Sequence, residues 1–257
     1  MCWSRFRSGW RLAPRFLIKA PYRPMPKFND RQHLIFDADD TLWENNIYFE
    51  QAFDEFCAYL NHSSLTPDEV RAILDEIEIE NNKVHGYGAV NFGRNLSQCY
   101  LHLAERAVDE HDLKRVTAFA HRILLQEIEL MDGVAETLPF LAEKHELTMF
   151  TKGEPAEQNR KIDLSGLRPL FAHCEVVKEK NKRAYEELAH VRGFDPERTW
   201  MIGNSPKSDI NPALDAGLHA VFVPHPRTWT LEREEVRNGN GRLTVVKSFK
   251  DLVDLFG

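Results

Sequence analysis

Three carboxylates stand together behind an apolar run: His33-Leu34-Ile35-Phe36 is followed by Asp37-Ala38-Asp39-Asp40-Thr41. The run is strand-sized, and ligands of open parallel sheets bind just outside the carboxyl ends of strands. Two carboxylates at i and i+2 can divide labour there. One would attack phosphorus as a nucleophile and ligate a cation, while the other would exchange a proton with the leaving oxygen. Asp-rich strand ends also make turns and cap helices, so this segment alone leaves a structural role open.

The segment resembles the first motif of the haloacid dehalogenase superfamily, an apolar strand followed by Asp-x-Asp-x-Thr, and three further motifs follow in order. The second, a hydroxyl residue ending a strand, matches Leu147-Thr-Met-Phe-Thr151-Lys152-Gly153, where Thr151 and the adjacent backbone N–H groups would hold a phosphoryl oxygen. The third, a charge-neutralising lysine, falls among Lys178, Lys180 and Lys182; the spacing to Tyr185 favours Lys180. The fourth matches Gly203-Asn204-Ser205-Pro206-Lys207-Ser208-Asp209, with Asn204 in place of the first acid. Asp209 then becomes the main acidic metal ligand of its loop, joined by Asp37, the Asp39 backbone carbonyl and an oxygen of Asn204.

The resemblance covers His33 to Pro224 and implies an α/β fold, a Rossmann-like parallel sheet core carrying an inserted all-helical C1 cap. It implies a Mg²⁺-dependent phosphatase that acts on a small phosphorylated metabolite through an aspartyl-phosphate on Asp37, with Asp39 as acid and base. Dehalogenases of the superfamily attack carbon, need no magnesium and typically lack the second aspartate, which is present here as Asp39. A phosphonatase would need a cap lysine for a Schiff base; Lys83 reads as a solvated helix residue instead. A phosphomutase shares every visible motif. The alternative of another class is a non-catalytic, regulatory phosphate-binding protein on this fold, which Asn204 alone favours.

The elements that must position these residues alternate along the chain. Strands are expected at His33 to Phe36, Leu147 to Phe150, Cys174 to Val177, Thr199 to Ile202, Ala220 to Val223 and, more weakly signalled, Leu243 to Val246, which suggests a parallel sheet. Between them lies a stretch with helical spacing and no strand pattern: Ile47, Phe49, Phe53, Phe56, then Val70, Ile73, Leu74, Ile77. Thr66-Pro67-Asp68-Glu69 reads as a helix start, Gly86-Tyr87-Gly88 as a break, and further helices are expected from Phe92 to Val108 and from Asp112 to Glu127. The organisation is therefore a core of residues 28–45 and 131–257, interrupted by a helical cap of residues 46–130. Leu42 to Asn46 would let the cap open and close. The cap should set specificity through Asn91, Phe92, Arg94, Asn95 and Gln98, with Arg94 meeting an anionic substrate. Trp43 reads as core packing or pocket wall, and Pro224-His225-Pro226-Arg227 as a rigid loop.

Composition narrows the setting. With 257 residues and 42% hydrophobic content the chain can bury a main domain plus an insertion. No apolar run approaches the length needed to cross a bilayer, so no membrane association is expected. The four cysteines are scattered without metal or disulfide spacing, which fits a reducing, cytoplasmic setting. A formal charge of −7 disfavours nucleic-acid binding. Residues 1–27 differ in kind: Arg5, Arg7, Arg11, Arg15, Lys19, Arg23 and Lys27 occur there with no acid. That stretch reads as a disordered extension or a start placed too early rather than as a transit peptide or anchor. Nothing in the sequence specifies an oligomeric state.

Overall fold

The computed structural model describes Phe28 and residues 30–257; the expectation for residues 1–27 lies outside the described residues. Six strands, β1 (His33–Phe36), β2 (Glu146–Lys152), β3 (His173–Val177), β4 (Thr199–Gly203), β5 (His219–Phe222) and β6 (Leu243–Val245), form one sheet. Their order is β3-β2-β1-β4-β5-β6, and every pairing is parallel. The order reverses at β1, which runs between β2 and β4, so the crevice beyond the carboxyl ends of β1 and β4 is the switch point where ligands of such sheets bind.

Why these segments are strands follows from burial on both faces. Leu34 and Phe36 pack with Leu147, Met149, Trp200 and Ile202 on one side, while Ile35 packs with Phe150, Met201, Tyr185 and Leu188 on the other. A strand covered on both faces reads as a continuous apolar run rather than an alternation. The coverings are helices α5 (Val134–Lys144) and α9 (Leu252–Phe256) on the first face, and α7 (Lys182–Arg192) and α8 (Asn211–Asp215) on the second. Helix α6 (Pro155–Leu164) follows β2 and contributes Ile162 to the first face.

Between β1 and β2 the chain builds α1 (Asn46–Leu60), α2 (Pro67–His85), α3 (Ala89–Leu103) and α4 (Glu110–His121). They enclose an apolar cluster of their own, including Phe53, Phe56, Leu74, Phe92, Leu96, Tyr100, Val116 and Phe119. Thr66 caps α2 through a reciprocal pair with Glu69, and Asp109 does the same for α4 with Asp112. Two expected helix bounds move for local reasons. Helix α3 begins at Ala89 and stops at Leu103, where Ala104 turns extended; α4 starts at Glu110 because Asp109 is its cap, and ends in a tighter turn over Arg122–Leu125.

The chain enters and leaves this four-helix insertion through one short ribbon: Glu44 N–H donates to Glu129 C=O at 2.9 Å, and Met131 N–H to Leu42 C=O at 2.9 Å. Asp40 holds the entrance. Its backbone is left-handed at φ 62°, and its Oδ1 accepts from the N–H groups of both Asn45 and Asn46 at 2.9 Å, capping α1. The His225–Thr228 loop braces the same point, because Arg227 donates to Glu44 at 2.8 Å and Asn46 to the Arg227 carbonyl at 2.7 Å. Among the described residues no helix is long and apolar enough to cross a membrane.

Candidate active site

Four strand ends deliver the motif residues to one crevice. Asp37 follows β1 and is tied to the neighbouring strand by its N–H, 2.9 Å from the Ile202 carbonyl. Thr151 lies near the end of β2, Lys180 follows β3, and Asn204 follows β4. Asp209 sits one wide turn later, in a segment where Ile210 N–H reaches back five residues to Ser205 C=O at 3.1 Å.

The centre of the crevice is a buried ion cluster. Lys180 Nζ lies 2.6 Å from Asp37 Oδ1 and 2.8 Å from Asp209 Oδ1, and its side chain is 1% exposed. Burial alone would push the ammonium down, but the Asp209 and Asp37 carboxylates outweigh it and hold the pKa above its ordinary value. Asp209 is pushed up to about 7, first by burial and then by Asp37, against the opposing pull of Lys180. One ammonium between two buried carboxylates thus leaves the cluster short of positive charge. Of the three lysines in the motif, Lys178 and Lys182 are exposed, and Lys182 pairs with Glu186 at 3.4 Å.

The surroundings fix these groups. Thr41 Oγ1 donates to Asp37 Oδ2 at 2.8 Å, and Asn204 Oδ1 lies 3.3 Å from the same hydroxyl. Ser205 N–H donates to Asp209 Oδ2 at 2.9 Å, and Tyr185, buried beneath, donates to the Ser208 carbonyl at 2.9 Å. Gly203 makes room for this arrangement: a Cβ there would stand 2.3 Å from Asp209 Oδ2.

Asp39 is held by a different set of donors. Lys161 Nζ lies 2.7 Å from both of its oxygens, Gln158 Nε2 donates at 2.9 Å, and the indole N–H of Trp43 donates at 2.7 Å. Trp43 is fully buried in the core, so it both packs and steers this carboxylate. Thr151 is 1% exposed, with its hydroxyl 3.3 Å from Gln158 Oε1. Lys152 is drawn to the side wall, 2.6 Å from Glu232, 3.0 Å from Ser208 Oγ and 4.1 Å above the Tyr87 ring. Gly153 lies at the base of α6, where a Cβ would fall 2.7 Å from Gln158 Nε2.

A cavity of about 210 Å³ joins these residues to the helical insertion, which supplies Phe49, Arg71, Glu78, Asn82, Phe92 and Asn95 to its far wall. The two parts close over it through Tyr87, whose hydroxyl donates to Glu179 at 2.6 Å, and Ala89, whose N–H donates to Glu157 at 2.9 Å. Glu78 is pushed up to about 7 by burial, moderated by Arg71.

Arg94 does not reach this cavity. It is exposed and has one weak contact, 3.5 Å to Asn91 Oδ1. At 100° per residue, Phe92 and Asn95 share the inward face of α3, which turns Arg94 outward. Asn91 is buried but bonds within the insertion, to Asn82 and the Gly86 carbonyl, and Gln98 is exposed. Conversely, Lys161, Gln158, Glu157 and Glu232 line the cavity without having been singled out in the sequence, and so does Tyr87, read there only as part of a helix break. For Gln158 and Lys161 a signal existed: they stand three apart on the helix that follows Thr151, one face aimed back at the strand ends.

Residues 32–217 match the family model described as haloacid dehalogenase-like hydrolase. A glyceraldehyde 3-phosphate phosphatase of Methanothermobacter thermautotrophicus is 25% identical over 234 residues, covering 86% of this chain and 98% of the relative. Among solved structures, a haloacid dehalogenase-like family hydrolase of Xanthomonas campestris superposes with a TM-score of 0.74 at 28% identity, covering 87% of this chain and 93% of the other. The HAD-hydrolase YfnB of Bacillus subtilis, solved bound to magnesium, shares the fold at a TM-score of 0.63 and 18% identity, with coverage of 88% and 98%.

Proposed function

The chain belongs to the haloacid dehalogenase-like hydrolases, and from that premise we propose that it is a magnesium-dependent phosphatase hydrolysing a small-molecule phosphate monoester through an aspartyl-phosphate on Asp37. The observation that carries this reading is the buried Lys180 ammonium shared between Asp37 and Asp209, at 2.6 and 2.8 Å, in the cavity at the strand ends. Phosphoryl transfer asks chiefly for charge neutralisation and alignment, which such a cluster supplies. The names of the relatives agree: one is a glyceraldehyde 3-phosphate phosphatase, and the YfnB hydrolase was solved with magnesium.

Asp37, Asp209 and Asn204, with the Asp39 backbone carbonyl, make an oxygen-only donor set suited to a hard divalent cation. Burial first, and then the neighbouring Asp37 charge, raise Asp209, and a cation held there would answer both carboxylates. Bound there, Mg²⁺ would neutralise charge on the transferring phosphoryl group. In the first step the Asp37 carboxylate forms a bond to phosphorus as the ester P–O bond breaks, and Asp39 gives its proton to the departing alkoxide. In the second, Asp39 takes a proton from water, whose oxygen bonds to phosphorus as the acyl phosphate P–O bond breaks and inorganic phosphate leaves. Thr151 and the N–H groups beside it hold a phosphoryl oxygen, and Lys180 offsets repulsion between the nucleophile and the phosphate. Lys161, Gln158 and Trp43 keep Asp39 oriented, so its turn as acid requires Lys161 to loosen.

The test is phosphate release from sugar, nucleotide and small organic phosphates, with and without Mg²⁺, for the protein and its Asp37→Asn variant. Turnover that needs Mg²⁺ and vanishes in the variant supports the proposal. Equal turnover by Asp37→Asn would remove the covalent route.

A further inference from the structure

The phosphate end of the cavity accounts for the chemistry, and the opposite end offers evidence on what carries the phosphate. Among the described residues, four cations line the cavity, and each is committed to a carboxylate. Lys180 is held by Asp37 and Asp209, Lys161 by Asp39, Lys152 by Glu232, and Arg71 by Asp75 at 2.6 Å and Glu78 at 2.5 Å. An anion could otherwise settle on a helix N-terminus, and α3 begins at the cavity wall. That place is taken by the protein's own Glu157, whose carboxylate accepts from Ala89 N–H at 2.9 Å, and Gly88 is shaped to admit it, since a Cβ there would lie 2.7 Å from the same oxygen. Glu50 and Glu78 place two further acids at the same end, Glu78 already answered by Arg71.

What remains for a ligand is uncharged. The side-chain oxygen of Asn82 already accepts from Asn91 at 2.9 Å, and that of Asn95 from Asn81 at 2.8 Å, which leaves the amide N–H groups of both to donate. Phe49 and Phe92, packed edge-on with centroids 5.1 Å apart, give this end an apolar wall. The cavity, about 210 Å³, runs from the strand ends to this wall, so Phe49, Phe92, Asn82 and Asn95 stand where the carbon skeleton of a bound phosphate ester would end.

Resting on the phosphatase reading above, we infer that the substrate is the phosphate monoester of a small, uncharged hydroxyl- or carbonyl-bearing alcohol, and that the Arg71–Glu78 pair and Glu157 reject leaving groups carrying a carboxylate or a second phosphate. A carboxylate here would face Glu78 and Glu50, or would have to pull Arg71 from Glu78 and leave that acid buried without a partner.

The experiment compares kcat/KM for glycerol 3-phosphate and 3-phosphoglycerate, which share a three-carbon skeleton and differ by a hydroxymethyl group against a carboxylate. Uridine 5'-monophosphate serves as the large uncharged-base arm. Glycerol 3-phosphate should lead the acid by on the order of 100-fold and should also exceed the nucleotide. In Glu78→Gln, which leaves Arg71 answered by Asp75 alone, the preference over 3-phosphoglycerate should narrow at least about tenfold, with circular dichroism verifying the fold. Equal or better turnover of the acid, a preference for the nucleotide, or an unchanged ratio in folded Glu78→Gln would each overturn the inference while leaving the phosphatase standing. No turnover of any ester in the wider panel would overturn the phosphatase reading, and this one with it.

Discussion

Replacing Lys180 with methionine keeps the length of the side chain and removes its charge, so it tests the ion cluster directly. In the native protein the ammonium lies 2.6 Å from Asp37 and 2.8 Å from Asp209, side chains that are 10% and 1% exposed. Breaking a buried ion pair by deleting one partner costs about 3–5 kcal/mol, because the survivor keeps its desolvation without its counter-charge. Here one survivor can escape by taking a proton, since Asp209 already stands near 7 with Lys180 in place. An acid whose folded pKa lies above its unfolded value subtracts stability at pH above that range and regains it as pH falls. The loss should therefore be about 3 kcal/mol at pH 8 in EDTA and shrink toward pH 5. For a chain of this size that is a fall in Tm of roughly 6–12 °C. Mg²⁺ should raise the Tm of the variant more than that of the parent, because a cation binding only the folded state restores the missing charge. Turnover should fall on the order of 10²–10³-fold even at saturating Mg²⁺, the usual cost of removing one preorganised charge from the transition state. Urea or thermal unfolding at the two pH values and steady-state kinetics provide the readouts. A variant with parental Tm and kcat within threefold, or an equal effect from Lys178→Met or Lys182→Met, would refute the reasoning.

Three further outcomes are expected. Gly203→Ala pushes a methyl against Asp209 Oδ2, so stability should fall by about 1–3 kcal/mol from overpacking and turnover with it; unchanged denaturant midpoint and activity would show that Asp209 is not held there. Asp40 is pushed up to about 7 by burial, so the metal-free protein should lose stability as pH rises from about 4 to 7; Asp40→Asn, which tolerates a left-handed backbone and keeps an acceptor for α1, should flatten that slope and gain ~2 kcal/mol at pH 8 by urea titration. Arg94→Ala should leave kcat/KM within twofold and stability within about 0.5 kcal/mol, because its side chain is turned to solvent; a large rise in KM would return it to the site.

The strands were legible because each is an apolar run bounded by turn residues, and Asp37, Thr151, Lys180 and Asp209 were legible because they follow those runs in a recurring order. The helical insertion announced itself by spacing, down to Thr66 and Pro67 at the start of α2. Side-chain direction was harder to read. Arg94 looked suited to an anion by type, but the phase set by Phe92, Leu96 and Cys99, all buried, points it outward. For Lys161 the spacing from Gln158 marks a helix face but not its partner: Asp39 is 122 residues away in sequence, and only the pairing of β1 with β2 brings α6 beside the first motif. The Tyr87 contacts depend likewise on where the insertion folds back, which a Gly-Tyr-Gly break marks as a turn without saying what it touches.

The short ribbon at Leu42–Glu44 and Glu129–Met131 has an evolutionary consequence. Because the two crossing points are held one hydrogen bond apart at each end, what lies between them is an excursion whose length barely matters: doubling such a loop costs only about 0.6 kcal/mol in closure entropy. A lineage could exchange the four-helix segment for a longer, shorter or unrelated one at that doorway without disturbing the sheet or its carboxylates. The segment's own apolar cluster means the replacement need bring only itself. Such a scaffold separates the inheritance of a reaction from that of the compound it acts upon.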